Sequence, residues 1–483
     1  MTTTETGTTT GAKVTGNTGT GSATGGDAAN KLPTTNAGWL ELGNEFLLRH
    51  PLRTASIVPE RGDGIYMWDV EGKRYVDFQS GQLCVTLGHS HPEYVQALVD
   101  QANKIMQTGT TFVVPSEVLL AQKIGELAPD PLRKSFFACT GFESNEMALR
   151  LVRKVTGRFE VIGVQRGYHG QTYGSASITG RGGMLRQGYG PMVAGAAFIP
   201  TPYPYRCHHC KADGCCSLAC ADSAEELIDT STSGKPAALF LEPMMSAAGQ
   251  IVPSVEWLQR ISEICKERGI LLVADEALTC FGRTGKWFAF EHFGVVPDVV
   301  TCSKGLGGAV PICAVVTTDE IAAQANEVGF MAFSSHQGDP LLCATALANL
   351  EIVDRHNLVE NARVVGEYFM EKLQSLVQRY GVVGEARGLG LCLGIEMVTD
   401  KATRTANFEG TKTVSRYCQE NGLLLQTLLG EVDEDRLKLR QMELSGVHVL
   451  RFMPPITVTT EQIDEAMEIV EGGVKVAQET TGR

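Results

Sequence analysis

No stretch of the 483-residue sequence stays apolar for the length needed to cross a membrane. The N-terminus has neither the apolar core of a secretory signal nor the arginines of a mitochondrial transit peptide. These absences predict a cytoplasmic protein with no membrane partner. Positive charge is in short supply as well. A formal net charge of −13 predicts no nucleic-acid partner, while leaving room for a small basic pocket that takes an anionic ligand. No internal repeat is visible. Cysteine is plentiful, at 14, but lacks the framework of a small secreted chain. Half of these residues (Cys139, Cys265, Cys280, Cys302, Cys313, Cys343, Cys392) sit in apolar segments and read as small buried hydrophobes in a reducing compartment.

What is present is an ordinary globular composition, 43% hydrophobic and 20% charged, in a chain long enough for more than one domain. Thr and Gly fill 18 of the first 30 positions, and residues 1–38 are expected to form a disordered tail. From Val95 to Thr317, apolar runs alternate with helical patterns. Strands are predicted at 135–140, 160–165, 237–242, 270–275, 298–303 and 312–317. Most are apolar on both faces, as in a mainly parallel sheet covered by helices, so the fold class is α/β. Residues 91–345 are expected to form the large domain. Residues 39–90 and 346–483 should build a smaller α/β domain, the latter sharing a sheet with residues 55–85.

The chemistry-bearing residues fall where strands end, which is where an open parallel sheet places its binding crevice. "TGFESNE" (140–146) follows a strand and opens a helix. Thr140, Gly141 and the first backbone N–H groups could cradle a phosphate, or simply cap the helix. "GYHG" (167–170) offers the Tyr168 ring for stacking. Asp275 closes the apolar run "ILLVAD" and, once buried, needs a cation or a donor as partner. Lys304 in "VVTCSKGLGGAV" is no P-loop lysine, because its glycines follow it instead of preceding it. Asp275 and Lys304 should flank one crevice, either as a buried ion pair or on opposite sides of a carbonyl cofactor. The glycines after Lys304 are expected to leave room for that cofactor.

Taken together, "FQSGQLCVTLGHSHPE", "TGFESNE", "YHG", "LEPMMSAAG", "DEALTCFGRTG", "SKGLGG", "SSHQGDPL", "ARGLGLCLGIE" and "RFMPPITV" resemble the fold type I, pyridoxal-phosphate-dependent class III aminotransferase family. Within it, the dialkylglycine decarboxylases are the nearest likeness. The resemblance implies that Lys304 bonds covalently to the cofactor aldehyde, Asp275 partners the pyridinium nitrogen and Tyr168 stacks on the ring. Gly141 and Phe142 would bind the phosphate together with Ser335 of a neighbouring subunit, in a homodimer with a tetramer as the larger option. Arg451 would grip a substrate carboxylate, with Glu242 and Asn145 lining and bracing the site. Gln82, in the family's Ser-Gly-Gln context, would orient that carboxylate for CO2 loss. The implied reaction takes a 2,2-disubstituted amino acid to a ketone and CO2, then passes the amino group to a 2-oxo acid such as pyruvate. Amino transfer alone, other carbanion chemistry and a silent scaffold are the competing readings. Four positions depart from the decarboxylase pattern: Tyr168 stands for tryptophan, Gln171 for methionine, Ala247 for serine, and Leu278 for a glutamine that meets the cofactor's phenolic oxygen.

Two further features invite metals. "CHHCKADGCCSLAC" (207–220) packs five cysteines and two histidines into fourteen residues, yet lacks the paired spacing of a zinc finger, so an uncoordinated loop is preferred over zinc. The resemblance also implies a K+ or Na+ site served by Thr110 and Asp339 side chains and by the carbonyls of Ser335 and Gln337. His89 and His91 are expected to be structural.

Overall fold

The computed structural model describes residues 32–48, 55–181, 186–207, 218–426 and 446–482. The expected tail up to residue 31 and positions 208–217 of the cysteine-rich stretch lie outside the described residues.

The central element is a seven-stranded sheet. In chain order its strands are β1 (Leu132–Ala138), β2 (Val161–Val164), β3 (Ala196–Ile199), β4 (Ala238–Leu241), β5 (Leu271–Glu276), β6 (Val299–Cys302) and β7 (Cys313–Thr318). In space the order is β1-β7-β6-β5-β4-β2-β3. Only β7 runs against its neighbours, so the other six strands point their carboxyl ends to one edge. Both faces of the sheet are covered, and alternation decides which residue meets which cover. Leu239 and Leu241 of β4 pack with Trp257, Ile261 and Ile264 of helix Val255–Arg268. Ala238 and Phe240 pack on the other side with Ala148, Leu149 and Val152 of helix α1 (Gly141–Thr156). A strand buried on both faces reads as a continuous apolar run, which is why these segments carry no polar alternation.

Two smaller sheets flank this one. Pro59–Asp63, Tyr66–Asp69 and Arg74–Asp77 form a meander, and Leu423–Leu424 adds to its edge in parallel with Arg74–Asp77. Cys392–Asp400 pairs with Val383–Leu389 on one side and with Val449–Phe452 on the other. The second of these strands carries Arg451. Its continuation is tied to the first sheet, because the Met453 N–H donates to the Phe78 carbonyl at 2.9 Å.

The cysteines behave as expected with one exception. Cys265, Cys280, Cys302, Cys313, Cys343 and Cys392 are buried and free, but Cys139 is only half-buried, since β1 ends one residue before it. Among the described residues no helix is long and apolar enough to cross a membrane.

Candidate active site

Helix α1 begins where β1 ends, and its capping decides what its first turn can bind. Thr140 is extended (φ −129, ψ 155) and both its N–H and its hydroxyl donate to the Glu143 carboxylate, at 2.7 and 2.8 Å. The hydroxyl is therefore engaged within the cap. Among the described residues the N–H groups of Gly141 and Phe142 have no partner, and they project from the positive end of a sixteen-residue helix. A Cβ on Gly141 would lie 3.3 Å from the Ala277 Cβ and 3.4 Å from the Ser303 Cβ, so glycine keeps the crevice between α1 and the ends of β5 and β6 open. Phe142 is fixed from the other side: its Cβ lies 2.3 Å from where a side chain on Gly170 (φ +137) would begin.

Asp275, at the end of β5, is buried at 5% exposure. Its Oδ2 accepts from His169 Nδ1 and Asn145 Nδ2, both at 2.8 Å, and its Oδ1 accepts from the Ala277 N–H at 3.0 Å. A carboxylate only accepts, so His169 Nδ1 carries the proton in this pair. Burial alone would raise the Asp275 pKa, but the His169 bond and charge, the Ala277 N–H and the Asn145 amide bring it below the ordinary carboxylate range. Asn145 is held in turn by the Thr301 hydroxyl, which donates to its Oδ1 at 3.0 Å. The partners of this aspartate are thus His169 and Asn145, and Lys304 forms no ion pair with it among the described residues.

Lys304 follows β6 and opens the single turn Lys304–Leu306, with a left-handed φ of +32 that a side chain rarely adopts. The glycines after it were expected to leave room for a cofactor; the structure gives two of them a packing role. They let the chain fold tightly against the protein itself. A Cβ on Gly307 would sit 2.1 Å from the Val310 carbonyl oxygen, and one on Gly308 would sit 2.6 Å from Asn349 Oδ1. Asn349 Nδ2 donates to the Gly305 and Leu306 carbonyls and the Tyr94 hydroxyl donates to that of Gly307, so the turn is clamped and Lys304 is aimed.

Tyr168 and Glu242 meet at the ends of β2 and β4. The Tyr168 N–H donates to Glu242 Oε1 at 2.8 Å, and burial pushes the Glu242 carboxyl up to about 7. Arg451 is buried beside them. Among the described residues its Nε has no partner, and its side chain makes a single long bond, from Nη1 to the Ser246 carbonyl at 3.4 Å. Burial first, and the charge of Arg181 second, bring its pKa down to about 9. An arginine held this way is short of an anion.

Gln82 sits on a turn in which Ser80, Gly81 and Leu83 all have left-handed φ, at +48, +61 and +65. The turn is pinned at both ends. Asp77 accepts the Gln79 and Gly81 N–H groups and also His89 Nε2, while the Ser80 hydroxyl donates to the Met453 carbonyl at 2.6 Å. His89 is thus structural, as expected. The Gln82 side chain itself is exposed, and Leu83 beneath it packs with Met244, Met453 and Leu278. Leu278 therefore belongs to an apolar floor and supplies no donor. Ala247 is half-buried, and Gln171 is exposed and bonds the Tyr168 side chain.

The segments holding Thr110 and Ser335 lie alongside each other, joined by Gln107 Nε2 to the Ser335 carbonyl and by the Leu341 N–H to Met106. Asp339 is buried but already accepts from His336 Nδ1 at 2.6 Å, whereas Gln337 Oε1 has no partner among the described residues. No group of three or more His, Cys, Asp and Glu side chains suited to a metal occurs among the described residues.

Reading the sequence by motif missed His169 and Arg181. His169 could have been found from its place next to Tyr168 at a strand end. Arg181 lies in a loop without a motif.

A buried carboxylate outside the crevice gives a stability test. Glu276 Oε1 accepts the Phe290 N–H at 2.8 Å and Oε2 the Thr279 hydroxyl at 2.5 Å, and burial raises its pKa from 4.5 to about 7. A raised carboxyl stabilises the fold fully below its unfolded value and loses that contribution as pH rises through about 7. Glu276→Gln should therefore gain stability over the wild type between about pH 5 and 8, by up to roughly 3 kcal/mol. Urea melts at the two pH values check this, and a gap that does not widen with pH would contradict it.

Comparison with known proteins finds relatives over most of the chain. The family model described as aminotransferase class-III matches residues 49–473. The chain is 34% identical over 443 residues to an uncharacterized aminotransferase of Schizosaccharomyces pombe, covering 91% of this chain and 95% of that protein. It is 33% identical over 427 residues to a leucine/methionine racemase of Thermococcus litoralis, covering 88% and 92%. A Bacillus anthracis aminotransferase superposes with a TM-score of 0.83 at 26% identity, covering 92% of this chain and 100% of that one.

Proposed function

The chain belongs to the class III aminotransferase family, and from that premise we propose that it removes CO2 from a 2,2-disubstituted amino acid and then passes the amino group to a 2-oxo acid such as pyruvate. Pyridoxal phosphate is the cofactor expected of the family; when bound it supplies an electron sink for the pair left behind as a bond at Cα breaks. The residues present fit it. The unpartnered N–H groups of Gly141 and Phe142 would take its phosphate. The free acceptor capacity of Asp275, whose carboxyl stays ionised, would hold the proton on its ring nitrogen. Tyr168 would cover one face. Lys304 would anchor it covalently and, once released, give and take the proton beside Cα.

The observation that carries CO2 loss is the pinned turn of Gln82. Ser80 ties that turn to the Met453 carbonyl, two residues from Arg451, so the backbone that carries Gln82 is fixed close to the strand that carries Arg451. Arg451 would grip the substrate carboxylate and Gln82 would turn it perpendicular to the ring, the orientation in which its bond to Cα breaks. A second reading, amino transfer without CO2 loss, is favoured by Leu278, which withholds a donor from the ring oxygen. The exposed apolar side chains of Phe112, Val113, Met331 and Phe333 flank the segment of Ser335 and support a homodimer in which Ser335 completes the partner's phosphate site.

Carboxyl-labelled 2-aminoisobutyrate with pyruvate separates the two readings. Labelled CO2 and alanine should appear together, and Gln82→Ala should cut CO2 release by about tenfold or more, the worth of one hydrogen bond to a charged group. Alanine formed from other amino donors with no CO2 from any 2,2-disubstituted amino acid would sink the decarboxylation.

A further inference from the structure

Arg451 shares its sheet with a second arginine, and the two stand in one row. Arg387 pairs with Gly394 and Gly394 pairs with Arg451 across three antiparallel strands. Both arginine side chains therefore leave the same face of the sheet, with a glycine between them. The gap over Gly394 is filled by the segment that follows β4. A Cβ on Gly394 would lie 3.0 Å from Gln250 Cγ and 3.1 Å from Val449 Cγ1. Gln250 belongs to a tight hairpin closed by the Met245–Ile251 bridge, in which the Ser246 carbonyl accepts the Gly249 and Gln250 N–H groups at 3.0 and 3.2 Å. This hairpin touches both arginines. Arg387 Nε donates to the Gly249 carbonyl at 2.9 Å, and Arg451 Nη1 reaches the Ser246 carbonyl at 3.4 Å.

The two contacts are unequal. The Ser246 carbonyl already serves two backbone donors, which occupies both of its lone pairs, so the long bond to Arg451 directs that guanidinium without engaging it fully. Arg387 is held firmly. Its Nη1 lies 2.7 Å from Glu396 Oε2 and also donates to the Glu385 carboxylate, and its guanidinium carbon stands 4.9 Å from the centre of the Tyr203 ring. Glu396 is wholly buried and is fixed in turn by the Tyr203 hydroxyl and by Arg206 Nε at 2.5 Å. A Cβ on Gly249 (φ +108) would lie 2.8 Å from Val449 Cγ2, so the hairpin rests directly on the strand of Arg451. A charged anchor thus holds one end of the hairpin, and the other end meets Arg451.

We propose that Arg387 is a positioning residue for carboxylate binding. By fixing the Gly249 carbonyl it fixes the Ser246 carbonyl three residues earlier, and with it the place at which the Arg451 guanidinium meets an anion. This rests on the reading of Arg451 as the residue that grips a substrate carboxylate. The fork of an arginine is what joins the two ends: Nε bonds the Gly249 carbonyl while Nη1 bonds Glu396. A lysine ammonium is a point charge on a flexible stem, and would follow the two carboxylates and release the hairpin.

The test is a cycle of four cofactor-loaded proteins: the wild type, Arg387→Lys, Arg451→Gln and the double variant. Each is titrated with butyrate, an unreactive carboxylate, by calorimetry, with cofactor absorbance as a second readout. Arg451→Gln should weaken butyrate about tenfold or more, as one charge-assisted pair is lost. Arg387→Lys should weaken it about threefold or more. The double variant should bind within about twofold of Arg451→Gln, because Arg387 acts through Arg451, whereas a role in general stability would weaken both backgrounds alike. Gly249→Ala, which pushes the hairpin off Val449 without removing a charge, should repeat the loss and carries the comparison if Arg387→Lys fails to fold. Wild-type affinity in Arg387→Lys or in Gly249→Ala, or additive losses in the double variant, overturns the proposal. Unchanged affinity in Arg451→Gln would instead overturn the reading of Arg451, and the proposal with it. Amino transfer without CO2 loss would leave each of these binding results as expected.

Discussion

Lys304→Ala should lose about 10⁴-fold or more in kcat, the upper end of what one positioned acid–base group contributes, with the covalent anchor lost in addition. Reduction with borohydride should fix the cofactor to the wild-type chain at this residue and leave the variant unlabelled, as intact mass would show directly. The fold should survive. The clamp on the turn is made by Asn349 and Tyr94 to backbone carbonyls, which the substitution leaves in place. Small primary amines should restore part of the lost rate, because they can take up the proton transfers at Cα proposed for the Lys304 amine. A variant that keeps full turnover, or that still takes the label, would remove Lys304 from the centre of the site. The left-handed φ of +32 sharpens the expectation, since strain of this kind persists only where the surroundings hold a residue in one orientation.

How much of this could be read from residues alone follows from what sequence pattern encodes. Strands buried on both faces announce themselves as apolar runs, so most of the large sheet was legible. Direction is not encoded in such a run, and the reversal of β7 could not be foreseen. β3 was missed because Ala196 and Ala197 give it little β-propensity and no large aliphatic pair to mark it. Asp275 was legible because a carboxylate closing an apolar run is costly to bury without partners. Its actual partners come from α1 and from the end of β2, far away in the chain, and no local pattern joins His169 or Asn145 to it. The glycines after Lys304 were visible but their purpose was not. Only the positions of Val310, Asn349 and Tyr94 show that they serve packing.

Asp275→Asn gives the second large effect, and the hydrogen-bond inventory fixes its sign. The carboxylate now accepts three bonds, from His169 Nδ1, Asn145 Nδ2 and the Ala277 N–H. An amide has one accepting oxygen and a nitrogen that only donates. Turned with oxygen toward His169 and Asn145, it presents N–H to the Ala277 N–H; turned the other way, it opposes two donors at once. Either way a buried donor is left unsatisfied, and the negative charge that would hold a proton on the cofactor's ring nitrogen is gone. Breaking a buried charged pair by removing one partner costs about 3–5 kcal/mol, and if that cost falls on the transition state kcat drops roughly 10²- to 10⁴-fold. Asp275→Glu keeps the charge but must displace His169, and should fall between the two. His169→Gln separates charge from orientation. It removes the first of the groups that hold Asp275 below the ordinary range, so the acid limb of the kcat/KM profile should move to higher pH while the plateau is lowered less than in Asp275→Asn. An unshifted acid limb in His169→Gln would show that Asn145 and the Ala277 N–H suffice to keep the carboxylate ionised, and would reduce His169 to a packing residue.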